Sequence, residues 1–319
     1  MSRIVVCGAG GFIGTHLVTD LKRQGHWVRG VDQKYPEFSE TDADEFYQID
    51  LRSPGMAAMA VEGMDVVYQL AADMGGMGFI DDFECAIMHN SALININVLE
   101  AAARAKVTRY FFASSACIYP IQDCAPPENP GDYPPESVAY PAMASNEYGW
   151  EKLYAERMAL TYARCGHIPR VRIARIQNCY GPLGTWQGGR EKAPAALCRK
   201  VALADDGGDL EIWGPGTSLR IYTYIDDLLS GINALMASAI TEPVTMGSQD
   251  VVSVVDLARA VCWVAGKTLT IRHVDGNVGS PANYHSVDKL MSTGWKPKHT
   301  LHTGLSLTYP WIRDQVLKP

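Results

Sequence analysis

A glycine-rich turn between an apolar strand and an amphipathic helix, at the start of the chain, constrains the fold more than any other feature. Arg3-Ile4-Val5-Val6-Cys7 is a short apolar run that suits a strand covered on both faces. Gly8, Gly11 and Gly14 follow, and Phe12, Ile13, Leu17, Val18 and Leu21 then recur with helical spacing. Glycines so spaced let the backbone turn tightly and approach a pyrophosphate, while the helix start offers free N–H groups and the positive end of its dipole. A second strand, Trp27–Asp32, ends in a carboxylate 18 residues after Gly14. A carboxylate there accepts from the hydroxyls of an adenosine ribose and repels a 2′-phosphate, so the turn predicts NAD as the cofactor.

Further apolar runs at Phe46–Ile49, Val66–Leu70, Tyr110–Ser114 and Val171–Arg175 alternate with helical patterns at Ile94–Ala105 and Asn146–Cys165. Such alternation predicts an α/β fold, a Rossmann doubly wound parallel sheet. Turns become denser after about residue 176, with four glycines and a proline from Gly181 to Lys192, and Val251–Ala265 reads as one more amphipathic helix. These shifts assign residues 1–175 plus about 218–242 to an NAD-binding Rossmann domain. Residues from about 176–217 plus 243–319 form a smaller C-terminal substrate-binding lobe.

The net charge of −7 argues against a nucleic-acid or anionic-membrane partner. No run approaches the ~18 apolar residues of a membrane helix. The first strand begins within three residues of Met1, which leaves no room for a signal peptide and predicts a cytoplasmic protein. The eight cysteines form no C-x-x-C pair and the eight histidines no H-E-x-x-H, so no metal centre is expected. Scattered thiols in such a chain read as reduced and mostly buried.

Tyr148 and Lys152 are four apart and share one helical face. A phenol with a pKa of about 10 is a poor base at neutral pH. A neighbouring ammonium and a positive nicotinamide ring both favour the phenolate, which then takes a hydroxyl proton as the substrate carbon is oxidised. Ser115, just past a strand, is placed to hydrogen-bond the same oxygen. The small residues after Leu70, beginning with Ala71, let the backbone pass the cofactor. Asp50 and Leu51 stand where an adenine-contacting pair would sit, although a plain surface carboxylate fits Asp50 as well.

The glycine turn, the strand-end serines and the Tyr148–Lys152 pair together resemble the extended short-chain dehydrogenase/reductase family over essentially the whole chain. More specific runs are Ala71-Ala72-Asp73-Met74-Gly75-Gly76-Met77-Gly78-Phe79-Ile80, Ser114-Ser115-Ala116-Cys117-Ile118-Tyr119-Pro120 and Arg190-Glu191-Lys192-Ala193-Pro194-Ala195-Ala196. These, with Tyr180-Gly181-Pro182 and Gly184-Thr185-Trp186, are similar to the branch of that family that inverts GDP-mannose at carbons 3 and 5. Taken without the family, Met74–Ile80 is a loop over the cofactor and Lys192 a solvated charge.

The resemblance implies a nucleotide-sugar substrate and a redox-neutral cycle toward GDP-L-galactose or GDP-L-gulose. Oxidation at carbon 4 acidifies carbons 3 and 5, Cys117 removes a proton from one face, and Lys192 delivers one to the other. A free thiol has a pKa of about 8.5, and Lys192 is the cation expected to lower it. The resemblance also implies substrate contacts from Met74, Gly75, Gly76, Ser115, Glu191 and Lys192, with Asn178 at the diphosphate and Lys200 and Arg220 near the nucleotide. It implies a homodimer built on the helix Asn146–Cys165.

The chain departs from that branch at Ile221, where the branch has serine, and over 276–283, where it lacks an arginine-rich segment, which leaves the nucleotide open. Three alternatives stand beside this reading. A 4-epimerase would leave Cys117 and Lys192 idle. A 4,6-dehydratase wants an acid pair where Ala116-Cys117 stand. A non-enzymatic NAD-sensing protein sits poorly with intact Ser115, Tyr148 and Lys152.

Overall fold

Strands too apolar for a half-solvated sheet build the centre of the molecule. In the computed structural model the described residues are 1–122, 126–276 and 281–318, and the side chains of Met77, Gly78 and Asp81 lie outside that set. β1 (Arg3–Cys7), buried from Ile4 onward, leads through the glycine turn into α1 (Phe12–Arg23), which turns Leu17, Val18 and Leu21 inward. Next come β2 (Trp27–Asp32), β3 (Glu45–Gln48), α2 (Pro54–Val61) and β4 (Val66–Gln69). α3 (Met77–Asp82) and α4 (Glu84–Arg104) precede β5 (Arg109–Ser115), and α5 (Glu147–Arg164) precedes β6 (Arg170–Ile176).

The later chain forms β7 (Asn178–Tyr180), α6 (Ala193–Leu203), β8 (Asp209–Trp213), β9 (Leu219–Tyr224), α7 (Ile225–Ala237) and β10 (Val244–Met246). It ends with β11 (Val251–Ser253), α8 (Val254–Ala265), β12 (Thr270–Val274), β13 (Ala282–Asn283), α9 (Asp288–Met291) and α10 (Leu301–Val316). Two boundaries differ from the sequence pattern. α4 starts at Glu84 rather than Ile94, because Ile87 and Ser91 extend its buried stripe. The helix expected from Val251 begins after Ser253, whose side chain accepts from Asp256 N and caps it, and Val251–Ser253 pairs instead with β9.

The large sheet has seven strands in the order β10-β6-β5-β4-β1-β2-β3, every neighbouring pair parallel. The chain runs outward in opposite directions from β1 and β4, so a crevice opens at their carboxyl ends, where Gly8 and Leu70 stand. One apolar layer lies between the sheet and α1 and α7, the other between the sheet and α2, α4 and α5. The first layer continues into Leu197, Val201, Leu257, Val261 and Leu305 of α6, α8 and α10.

In the smaller sheet β9 pairs with β7 and β13 in parallel and with β11 antiparallel, while β8 and β12 form a separate parallel pair. Of the span 218–242, β9 belongs to the smaller sheet and α7 packs on the layer of the large one, while β10, within the span 243–319 expected in the lobe, pairs with β6 of the large sheet. Among the described residues no helix is long and apolar enough to cross a membrane.

Candidate active site

The crevice begins at the glycine turn. Gly8 has φ +88°, and a Cβ on it would come within 2.8 Å of Ala71 N, so only glycine lets β1 leave the sheet this close to the chain leaving β4. A side chain at Gly14 would strike the Gly8 carbonyl oxygen. Gly11 precedes α1 and offers no side-chain cap, which leaves the first N–H groups of the helix to a ligand. Asp32 closes the turn: Oδ2 accepts from Gly10 N at 3.0 Å and Oδ1 from Gln33 N at 2.7 Å. Burial pushes its carboxyl up, and the Gln33 and Gly10 amides oppose that. Two carboxylate oxygens retain lone pairs beyond these bonds, so the cradle and the acid fit the pyrophosphate and ribose of NAD.

Other residues expected at the cofactor are less free. Asp50 is chelated by Arg52 at 2.6 Å, whose guanidinium holds it below the usual carboxylate range, and Leu51 is part of the core. Phe12 packs against Gly184, joining α1 to the loop that leads to Lys192. Ile13 packs beside it against the core.

β5 delivers Ser115, and Ser115 Oγ accepts from Cys117 N at 3.1 Å, winding 116–118 into one tight turn. The Cys117 carbonyl then accepts from Ser145 N at 2.9 Å and Ser145 Oγ at 3.0 Å. The same oxygen lies so close to Gly149 that any side chain there would collide with it. Asn146 caps α5 by accepting from Gly149 N at 2.9 Å. These contacts bolt the start of α5 to the end of β5. The half-buried Cys117 therefore packs against Tyr148, with Ile80, Ile87, Met74 and Phe79 around them.

Tyr148 is almost fully buried. Burial pushes its phenol well above the ordinary range, Cys117 and Glu151 add to that, and the Ser115 hydrogen bond opposes it. Lys152 Nζ stands 5.6 Å from the centre of the Tyr148 ring and donates to Ala113 O at 3.0 Å. The lysine thus lies beneath the tyrosine rather than bonded to it. Lowering the phenol further takes a positive charge brought into the crevice.

On the lobe side, Lys192 is the residue that starts α6, and its charge reaches the buried Cys179, whose thiol burial pushes up to about 12. Arg220 of β9, a residue expected only near the nucleotide, is a cation electrostatically coupled to Cys117. Burial lowers the Arg220 pKa while Tyr222 and Cys117 raise it. Glu191 is engaged, Oε1 accepting from Arg199 Nη2 at 3.0 Å and Oε2 from Gly189 N at 2.7 Å. Asn178 Nδ2 donates to Ile221 O at 3.3 Å, and Lys200 Nζ donates to Glu211 O at 2.8 Å. Of the altered late segment 276–283, residues 277–280 lie outside the described residues, and Ala282–Asn283 form β13.

Met74 and Gly76 meet the lysine loop directly, while Gly75 packs on Phe79. Gly76 N donates to Arg190 O at 3.1 Å, and Arg190 Nη1 donates to Met74 O at 3.2 Å and pairs with Asp73 at 3.4 Å. Arg190 also stacks over Phe79 at 3.8 Å. Sequence reasoning missed this latch and the buried acids of α5, Glu151 and Glu156. For Glu156 a signal existed, since it lies on the Tyr148–Lys152 stripe, four residues after Lys152.

A model of the NAD dependent epimerase/dehydratase family matches residues 4–247. The GDP-mannose 3,5-epimerase of Arabidopsis thaliana is 42% identical, over 99% of this chain and 83% of that protein. GDP-mannose 3,5-epimerase 1 of Oryza sativa subsp. japonica is 41% identical over the same shares. Among solved structures, UDP-glucose 4-epimerase of Thermotoga maritima with UDP-glucose has a TM-score of 0.85 at 22% identity, over 98% of this chain and 99% of that one. At that identity the likeness shows the fold.

Proposed function

The chain belongs to the NAD dependent epimerase/dehydratase family, and from that membership we propose that it inverts GDP-mannose at carbon 3, carbon 5 or both through a transient 4-keto sugar. When bound, NAD supplies the two-electron oxidation at carbon 4 and its reversal. Tyr148 takes the proton of the 4-hydroxyl, Ser115 hydrogen-bonds the same oxygen, and Lys152 holds positive charge beneath the phenolate. The ketone acidifies the neighbouring C–H bonds. Cys117 as thiolate removes a proton from one face of the ring, and the Lys192 ammonium returns one to the other. Exchange with solvent resets both groups, and Tyr148 gives its proton back to the oxygen as carbon 4 is reduced.

The observation that carries this reading is the placement of Cys117. A half-buried thiol packed on the tyrosine base is superfluous for inversion at carbon 4 alone, and it is where a base for a neighbouring carbon belongs. Arg220 of β9 brings a cation into the surroundings of Cys117, on the side where the nucleotide is expected in this reading. Asn178, Glu191 and Lys200 line the nucleotide side in this reading, and Met74 to Gly76 cover the sugar. We also read the working unit as a cytoplasmic homodimer. Met88 and Ile96 of α4, with Trp150 and Tyr154 of α5, are apolar side chains left exposed on adjoining helices.

The test is incubation with GDP-mannose in deuterium oxide, with NMR locating the label. Label at carbons 3 and 5 establishes double inversion, and label at carbon 5 alone a single one. Cys117→Ala is expected to lose about 10²–10⁴-fold in label uptake while still forming reduced NAD transiently. Uptake at the parent rate by that variant would remove Cys117 as the base, and no uptake by the parent would remove GDP-mannose as the substrate.

A further inference from the structure

The catalytic helix carries a buried carboxyl that none of these steps uses. Glu151 lies between Tyr148 and Lys152 in α5 and is 2% exposed. Its Oε1 accepts from Asn95 Nδ2 of α4 at 2.7 Å, and its Oε2 has no hydrogen-bond partner among the described residues. Asn95 Oδ1 accepts from Gln69 Nε2 at 2.9 Å. Gln69 also donates to Ala71 O at 3.0 Å and accepts from Ala71 N at 3.3 Å. Ala71 N is the atom against which Gly8 packs. One buried run of hydrogen bonds therefore joins the cofactor turn, through the end of β4 and through α4, to Glu151.

Lys152 is 1% exposed, and its one described hydrogen bond goes to a neutral carbonyl. A second acid, Glu156, also acts on it, but Arg175 already pairs with Glu156 at 2.9 Å, both side chains buried, and Ser114 Oγ donates to it at 2.5 Å. Among the described residues no cation is hydrogen-bonded to or ion-paired with Glu151. Glu151 and Lys152 are neighbours in the chain and both are buried, so two charges that are each costly alone lie in one apolar interior, with no hydrogen bond or ion pair joining them among the described residues. Burial first raises the phenols of Tyr110 of β5 and of Tyr148, and the charge of Glu151 adds to both, with Cys7 also acting on Tyr110 and Cys117 on Tyr148; Asn95 is the neighbour from α4.

We propose that Glu151 is a positioning residue for the base: its carboxylate is the counter-charge that keeps the Lys152 ammonium protonated inside the fold, and the Asn95–Gln69 run fixes that charge to the backbone passing the cofactor. This rests on reading Tyr148 and Lys152 as the base pair of the proposed reaction. Burial pulls the Lys152 ammonium down, and Glu151 is the larger of the two acids pushing it back. In return, Lys152 is the leading charge opposing the burial that raises Glu151.

The test is NMR of the NAD-loaded protein carrying isotope-labelled lysine, with the Lys152 signal identified by its loss in Lys152→Met. In Glu151→Gln the Lys152 titration midpoint should fall by about one pH unit or more. The double variant Asn95→Asp/Glu151→Gln keeps each hydrogen bond of the run and restores a buried negative charge one group away, so its midpoint should return toward the parent. An unmoved midpoint in folded Glu151→Gln overturns the proposal. If Glu151→Gln does not fold, the double variant decides, and a midpoint displaced from the parent by a full unit overturns it.

Activity gives a second readout. Lys152 must be charged, so the rate falls above its pKa, and Glu151→Gln should move that fall to lower pH. Failure to turn over GDP-mannose would sink the proposed substrate and leave the NMR result standing.

Discussion

Ser115, Tyr148 and Lys152 are 8%, 6% and 1% exposed, whereas the side chains of Arg190 and Asp73, which join the lysine loop to the opposite rim, are 50% and 26% exposed. The first group stands on β5 and α5, tied together through the Cys117 carbonyl, the Asn146 cap and the Glu156–Arg175 pair. The second is held by one exposed ion pair, two backbone contacts and a stacked ring. Oxidation at a single carbon rewards a geometry that does not relax. A lobe that must admit and release a whole nucleotide sugar needs contacts weak enough to break in each turnover. The site thus pairs a rigid wall with a soft one.

The hardest test of the rigid wall is Tyr148→Phe. Oxidation at carbon 4, followed as the absorbance of reduced NAD after substrate addition, should fall by about 10²–10⁴-fold. Survival within tenfold would mean that another group takes the proton and that the tight placement of Tyr148 serves something else.

A smaller effect probes the seal behind Ser114. His285 stacks on Tyr119 at 3.7 Å, and neither ring nitrogen has a partner among the described residues. Burial first, and Arg175 second, pull its pKa down to about 3. The unfolded chain takes up this proton near pH 6.5 and the folded chain only near 3, so the unfolded state binds more protons in between. Stability is level above pH 6.5 and falls as the pH drops toward 3, by about 2 kcal/mol between pH 6.5 and 5. His285→Phe keeps the stacked ring and should remove that slope in urea unfolding. Equal acid sensitivity in both proteins would show that this corner is open to water, and the contrast between the walls would weaken.

Arg190→Ala should have the smallest effect. Loss of an exposed pair costs below about 1 kcal/mol of stability and should leave oxidation at carbon 4 unchanged, while deuterium uptake slows a few-fold. A thermal loss as large as that of a core substitution would show that the soft wall carries the fold.

The parallel sheet, its crevice and the Tyr148–Lys152 stripe were legible because each rests on neighbours in the chain. A glycine turn between a strand and a helix, an acid at the next strand end and a four-residue helical spacing are all local patterns. The partners of these groups were not legible. Glu151 meets Asn95 across 56 residues and Glu156 meets Arg175 across 19, and no periodicity announces either. Lys192 was expected to be the cation near Cys117, and Arg220, which no local pattern joins to Cys117, is a cation that the fold brings within electrostatic reach of it from β9, at the centre of the smaller sheet.

The amino-acid sequence by itself determined the fold class and the glycine turn of the cofactor cradle, since main-chain sterics and hydrophobic period act over a few residues. Tertiary structure alone decided which charges neutralise which, how deeply each is buried and which wall of the site is stiff. Those properties depend on desolvation and on distances across elements far apart in the chain, and a buried charge is set by whatever the fold brings against it.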